Sequence, residues 1–109
     1  MSVEQVDVVD FISIDKATGD LWLSISDHLP WAEDEGKHLI LLQDKLNTYL
    51  RFVEGGELLE AVPTARQRGI VINLVCQFAP SSEAEAFLEL AARAIRDAGF
   101  HLRFEVKSK

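Results

Sequence analysis

The chain has 109 residues, 48% of them apolar and 27% charged, and a formal net charge of -7 at pH 7. That length supports one domain, 1–109, able to bury a core without disulfides or a structural metal, and leaves too little chain for two. Excess negative charge repels polyanions and the eleven Lys and Arg residues are scattered, Arg66 and Arg68 being the nearest thing to a basic cluster, so no nucleic-acid partner is expected.

Residues 6–14 are β-branched and mostly apolar, which predicts a strand buried on much of both faces, with Asp10 in its middle. Asp15 to Asp20 supply turn chemistry around Gly19, and Leu21, Leu23 and Ile25 then alternate with Trp22, Ser24 and Ser26, so the first two strands should form an antiparallel hairpin. Pro30, in Asp-His-Leu-Pro-Trp at 27–31, cannot donate to a ladder and takes the chain out of the sheet.

The acids Glu33, Asp34 and Glu35 fall where free helical N–H groups favour negative charge. Leu39, Leu42, Leu46, Tyr49, Leu50 and Val53 follow as one helical stripe, bordered by His38 and Gln43 with Lys45 to one side, until Gly55 and Gly56 stop the helix. Residues 57–68 read as a loop. Residues 70–78 alternate as a strand, with Ile70, Ile72, Leu74, Cys76 and Phe78 on one face and Val71, Asn73, Val75 and Gln77 on the other.

Ser82 and Glu85 have capping-box spacing and open a second helix whose stripe is Ala84, Phe87, Leu88, Ala91, Ile95 and Ala98. Gly99 closes it, and Phe100, Leu102, Phe104 and Val106 alternate with His101, Arg103, Glu105 and Lys107 in a last strand. The expected fold is therefore α/β, an α+β two-layer sandwich of order ββαβαβ, with a four-stranded mixed sheet and two helices on one face. The other face would carry Val9, Phe11, Trp22, Val71 and Val75, more apolar surface than a monomer leaves in water. A homodimer interface including Phe11, Trp22, Val71 and Val75 is expected, with another protein as the other possible partner.

Candidate chemistry is sparse. Asp27, His28 and His38 could hold zinc if the loop folds back on the helix, but structural zinc usually takes four ligands and this set has three and no cysteine. The competing reading has Asp27 capping the loop, His28 exposed, and His38 donating to a backbone carbonyl or to Gln43. No metal or other cofactor is therefore expected. Asp10, Asp20 and Asp27 could pair as acid and base, although turns and strand ends are commoner places for aspartate. Cys76 alternates onto the helix-covered face, where a thiol is a small apolar filler. Gly55 and Gly56 follow a helix and so do not form a phosphate cradle. Trp22 suits a partner surface and Trp31 suits packing against the start of the first helix. A single cysteine cannot form an intramolecular disulfide, the first residues include acids where a signal peptide is basic, and no apolar run reaches bilayer length. A cytoplasmic protein with no membrane partner is expected.

The segments Val-Val-Asp-Phe-Ile-Ser-Ile-Asp at 8–15, Ile-Ser-Asp-His-Leu-Pro-Trp at 25–31, His-Leu-Ile-Leu-Leu-Gln-Asp-Lys-Leu-Asn-Thr-Tyr-Leu-Arg-Phe-Val-Glu-Gly-Gly-Glu at 38–57 and Phe-Leu-Glu-Leu at 87–90 resemble a family of small bacterial proteins catalogued as a domain of unknown function. The resemblance covers almost the whole chain. It implies a stand-alone bacterial protein and assigns no catalytic residue. The expected function is a non-catalytic, homodimeric protein-interaction module. One alternative is a small regulatory or immunity-type protein engaging a basic partner. The other is a metal-binding protein or small enzyme using Asp27, His28 and His38.

Overall fold

The sheet is built outward from its two most buried strands, β2 (Leu21–Asp27) and β3 (Ile70–Cys76), which lie side by side and parallel. The computed structural model describes residue 9, residues 11–32 and residues 34–107, without the side chains of 66 and 67. A short β1 (Phe11–Ile14) pairs antiparallel with β2, and β4 (His101–Val106) pairs parallel with β3, giving the order β1-β2-β3-β4. Parallel neighbours require crossovers. They are supplied by α1 (Glu35–Glu54) and α2 (Glu57–Ala61) between β2 and β3, and by α3 (Ser82–Asp97) between β3 and β4.

One apolar cluster joins the layers. Leu21, Leu23, Ile25, Ile72, Leu74 and Cys76, the alternate residues of the central strands, pack with Leu42, Leu46 and Tyr49 of α1 and Ala84, Leu88 and Ile95 of α3. The helices thus cover one face of a mixed sheet, as the residue pattern predicts. Tyr49 adds a polar tie, its hydroxyl donating to the Ser24 carbonyl at 2.6 Å.

Several local expectations are corrected. The order is ββααβαβ, because 57–68 is not loop: it forms α2 and then a 3-10 turn, Pro63–Gln67. Gly56, at φ 88°, reverses the chain straight into α2, which Leu58 anchors in the core. Five residues are too few to show helical periodicity. Asp34 caps α1, as its position suggests, accepting from the Lys37 N–H, whereas the cap of α3 is Ser81 and not Ser82, its hydroxyl accepting from the Ala84 N–H. The third strand ends at Cys76, so Phe78 lies beyond it and exposed.

The first strand is not buried on both faces. It is an edge strand, with Phe11 57% exposed and Ile14 also exposed. The rest of the strand expected at 6–14 lies outside the described residues, Asp10 included, except Val9. Val9 packs against the helix-side core instead of standing on the open face. On α1, His38 and Lys45 are fully buried on the inward stripe where a bordering place was expected.

The open face also differs from expectation. Val71 is only 8% exposed and Asn73 is buried beside it. The Arg103 guanidinium lies over the Trp22 ring, 4.8 Å from its centroid, a contact that reaches from β4 to β2 across β3. The arrangement shields the middle of the face and leaves Phe11 as its exposed apolar residue.

Replacing Tyr49 with Phe should cost about 1 kcal/mol of stability, because the part-buried hydrogen bond from its hydroxyl to the Ser24 carbonyl is lost. Urea denaturation would show it as a lower midpoint at unchanged slope, and an unchanged midpoint would refute the contribution.

Candidate functional site

The end of β2 carries a strongly polar contact in the core. Asp27, the last residue of the strand, is 1% exposed and keeps the helix-facing side of the alternation that Leu21, Leu23 and Ile25 begin. A carboxylate so placed must find donors. The first is the Leu29 N–H, which donates to Asp27 Oδ1 at 3.1 Å and turns the chain out of the sheet. The second is His38, in the first turns of α1, whose Nε2 lies 2.8 Å from Oδ1 and 2.6 Å from Oδ2. An acceptor-only carboxylate requires Nε2 to carry the proton and to donate.

The loop between them is held by Trp31. Its indole stacks on the His38 imidazole with ring centroids 3.5 Å apart and planes at 14°. Both rings are buried. The expected packing of Trp31 on the start of the helix is present, with an imidazole as its partner. His38 Nδ1 and Trp31 Nε1 have no hydrogen-bond partner among the described residues. A neighbouring cleft of about 410 Å³ is lined by Trp31, Glu35, Phe78 and Ser81, among others, and not by Asp27 or His38.

Cys76 sits directly across the ladder from Asp27. Burial, and after it the Asp27 charge, push its thiol up from 9.0 to about 12. It is therefore a protonated filler at neutral pH and no nucleophile for His38 to activate. At the surface above, the first turns of α1 and α3 bring Glu35 and Glu83 together. Glu35, through a side-chain hydrogen bond and then its charge, raises the Glu83 carboxyl above its ordinary range.

The structure brings together two of the three suggested metal ligands. Asp27 caps the loop, as one reading has it, and His38 meets Asp27 itself, neither a backbone carbonyl nor Gln43. His28 is exposed. Among the described residues no three His, Cys, Asp or Glu side chains are grouped to hold a metal ion. Asp20 and Asp27 stand at opposite ends of β2, roughly 20 Å apart by strand rise, so they are no acid–base pair. Gly55 caps α1, its N–H donating to the Arg51 carbonyl at 2.8 Å. Arg68 is likewise structural, donating to the Gly19 carbonyl at 2.8 Å and to Thr64 Oγ1 at 3.3 Å. The pattern reading missed buried Lys45, whose Nζ lies 5.7 Å from the Tyr49 ring centroid. Its signal was the spacing 38, 42, 45, 49, one inward stripe that includes two polar residues.

A model of a family of unknown function, DUF6572, matches residues 1–108. No curated protein and no solved structure matches the chain. Among the described residues no helix is long and apolar enough to cross a membrane.

Replacing Asp27 with Ala should lower stability by about 3 kcal/mol, since both His38 Nε2–H and Leu29 N–H are left without an acceptor inside the protein. Asp27→Asn, which keeps one acceptor oxygen, should cost clearly less, and equal losses for the two in denaturant titration would refute this account. Cys76 gives a pH dependence. The unfolded chain releases this proton near 9.0 and the folded chain only near 12, so the contribution to stability is complete below pH 9 and is lost as pH rises toward 12. In the native protein at pH 8 the thiol should be inert to a thiol reagent, with full reaction on adding denaturant.

Proposed function

The chain belongs to the family of unknown function DUF6572, and from its geometry we propose that it is a non-catalytic protein-interaction module working as a homodimer. The observation that carries this reading is that, beside the separate Ile40, Phe78 and Leu90, the exposed large apolar side chains among the described residues sit on the edge strands: Phe11 and Ile14 on one, and Phe104 and Val106 on the other. Isolated apolar residues on a surface are ordinary, but apolar side chains along a strand whose outer edge is open invite association.

The lack of chemistry is supported by the Asp27–His38 pair, in which both carboxylate oxygens face one imidazole nitrogen inside the core. Its nearest thiol is held protonated, and the neighbouring cleft does not reach the pair. Such an arrangement anchors a loop and a helix end. The reading places the protein in a bacterial cytoplasm, supported by a single, free and buried cysteine, for which a reducing compartment is the natural setting.

A second reading, engagement of a basic partner protein, is favoured by the Glu35–Glu83 contact at the two helix starts. A nearby cation would relieve the repulsion there. It would act alongside the dimer and not in its place.

Sedimentation velocity at micromolar concentration is expected to show a species of twice the monomer mass. A monomer across the accessible concentration range would overturn the homodimer.

A further inference from the structure

We propose that a second copy of this chain docks on the outer edge of β4, antiparallel to it and with Phe104 facing Phe104 of the second copy, so that two four-stranded sheets become one. The inference rests on the homodimer reading and names the surface that reading leaves open.

Among the described residues no strand pairs with this edge. β4 is the last strand of the sheet, with β3 on one side and no described strand on the other. Lys107, one residue past the strand, donates its N–H to the Cys76 carbonyl on β3. Successive residues of a strand direct their backbone groups to opposite edges. Arg103 and Glu105 therefore share the inward direction of Lys107, and Leu102, Phe104 and Val106 direct their N–H and C=O groups outward. Their side chains lie on the helix side, in register with Ile72, Leu74 and Cys76. Phe104 is 41% exposed and Val106 43%.

Charge selects the register. A two-fold axis that joins antiparallel edges keeps the faces of both sheets aligned and places one residue opposite its own copy. With Phe104 on the axis, Arg103 faces Glu105 of the other copy and Glu105 faces its Arg103, while Leu102 faces Val106. Centring on Arg103 would oppose two guanidinium groups. Centring on Glu105 would oppose two carboxylates, and Arg103 to Lys107 as well. Directly opposed like charges destabilise a sheet. Centring on Val106 would oppose Glu105 to Lys107 but leave most of the strand without a partner, so the Phe104 register is the one that pairs opposite charges while overlapping the length of β4.

The same register is right for the backbone. Phe104 with Phe104 and Leu102 with Val106 become hydrogen-bonded pairs, each exchanging two N–H to O=C bonds. The Arg103–Glu105 positions fall on the closer, non-bonded pairs, where side chains approach best. Within one copy Arg103 lies 3.5 Å from Glu105 and over the Trp22 ring, and both charged side chains retain solvent access, so pairing across the axis redirects the Arg103 side chain toward the outer edge. The other edge offers no such selection. The four residues of β1, Phe-Ile-Ser-Ile, carry no charge to set a register.

Charge reversal tests this. Arg103→Glu should oppose carboxylates across the axis and Glu105→Arg should oppose guanidinium groups, so each variant alone should dimerise at least tenfold more weakly than the wild type. An equimolar mixture should recover a heterodimer, because two carboxylates of one variant then face two guanidinium groups of the other. Sedimentation velocity and native mass spectrometry read all three samples, with circular dichroism confirming the fold. If either variant does not fold, Val106→Pro replaces it: the substitution deletes one outward N–H and should yield a monomer, and an unchanged dimer would overturn the proposal. Single variants that dimerise as well as the wild type would overturn the β4 edge while leaving the homodimer intact. Monomeric variants whose mixture stays monomeric would overturn the register. A monomeric wild type would remove the homodimer reading itself.

Discussion

A carboxylate taken out of water at the end of a strand has to be met by donors, and the layout of this protein around Asp27 follows from that requirement. The Leu29 N–H answers from the chain that leaves the sheet, and His38 answers from the helix to which that chain leads. Together they set where β2 stops, how sharply the loop turns and how α1 is rotated about its axis. Once His38 faces the strand, the inward stripe of α1 runs through Leu42, Lys45, Leu46 and Tyr49, and Tyr49 reaches the Ser24 carbonyl. Trp31, carried on the same loop, seals the pair by stacking on the imidazole.

Sealing has a chemical consequence. A histidine acting as base needs one nitrogen free toward a substrate, and a cysteine nucleophile needs a thiolate. Here the imidazole lies beneath an indole, and the thiol beside Asp27 keeps its proton far above neutral pH. Two of the three residues that look most like an active site in the linear sequence, Asp27 and His38, hold one helix to one strand. At the surface, Phe11, Ile14, Phe104 and Val106 are exposed along the edge strands of the sheet. The middle of the open face is already shielded by Trp22 and Arg103.

The two edges are unlike because the connections that reach them are unlike. β1 arrives by a tight turn and pairs over four residues, whereas β4 follows a full crossover helix and runs parallel to β3 for six. Six residues on a straight edge suffice for alternation of apolar and charged side chains to set a register. A four-residue edge without charge leaves pairing unspecific. Gly99, at φ 96°, serves this geometry where α3 turns back into β4.

Much of this protein was legible in its residues. Alternation at period two located the central strands and chose their buried faces, the apolar stripes located α1 and α3, and Pro30, Gly55, Gly56 and Gly99 marked the breaks. These features are local, so neighbours along the chain determine them. What only the tertiary structure decided depends on residues distant in sequence. The strand order is one case. Another is the burial of Lys45, and a third is the shielding of Val71 by a contact between Trp22 and Arg103, some eighty positions apart. The partner of His38 belongs here too. From pattern it could have been a backbone carbonyl, Gln43 or a metal, and it became Asp27 only because β2 and the first turns of α1 meet in space. A side chain's chemistry is written in the sequence, but whether that chemistry is spent inside the fold or left for a partner is decided where distant segments pack.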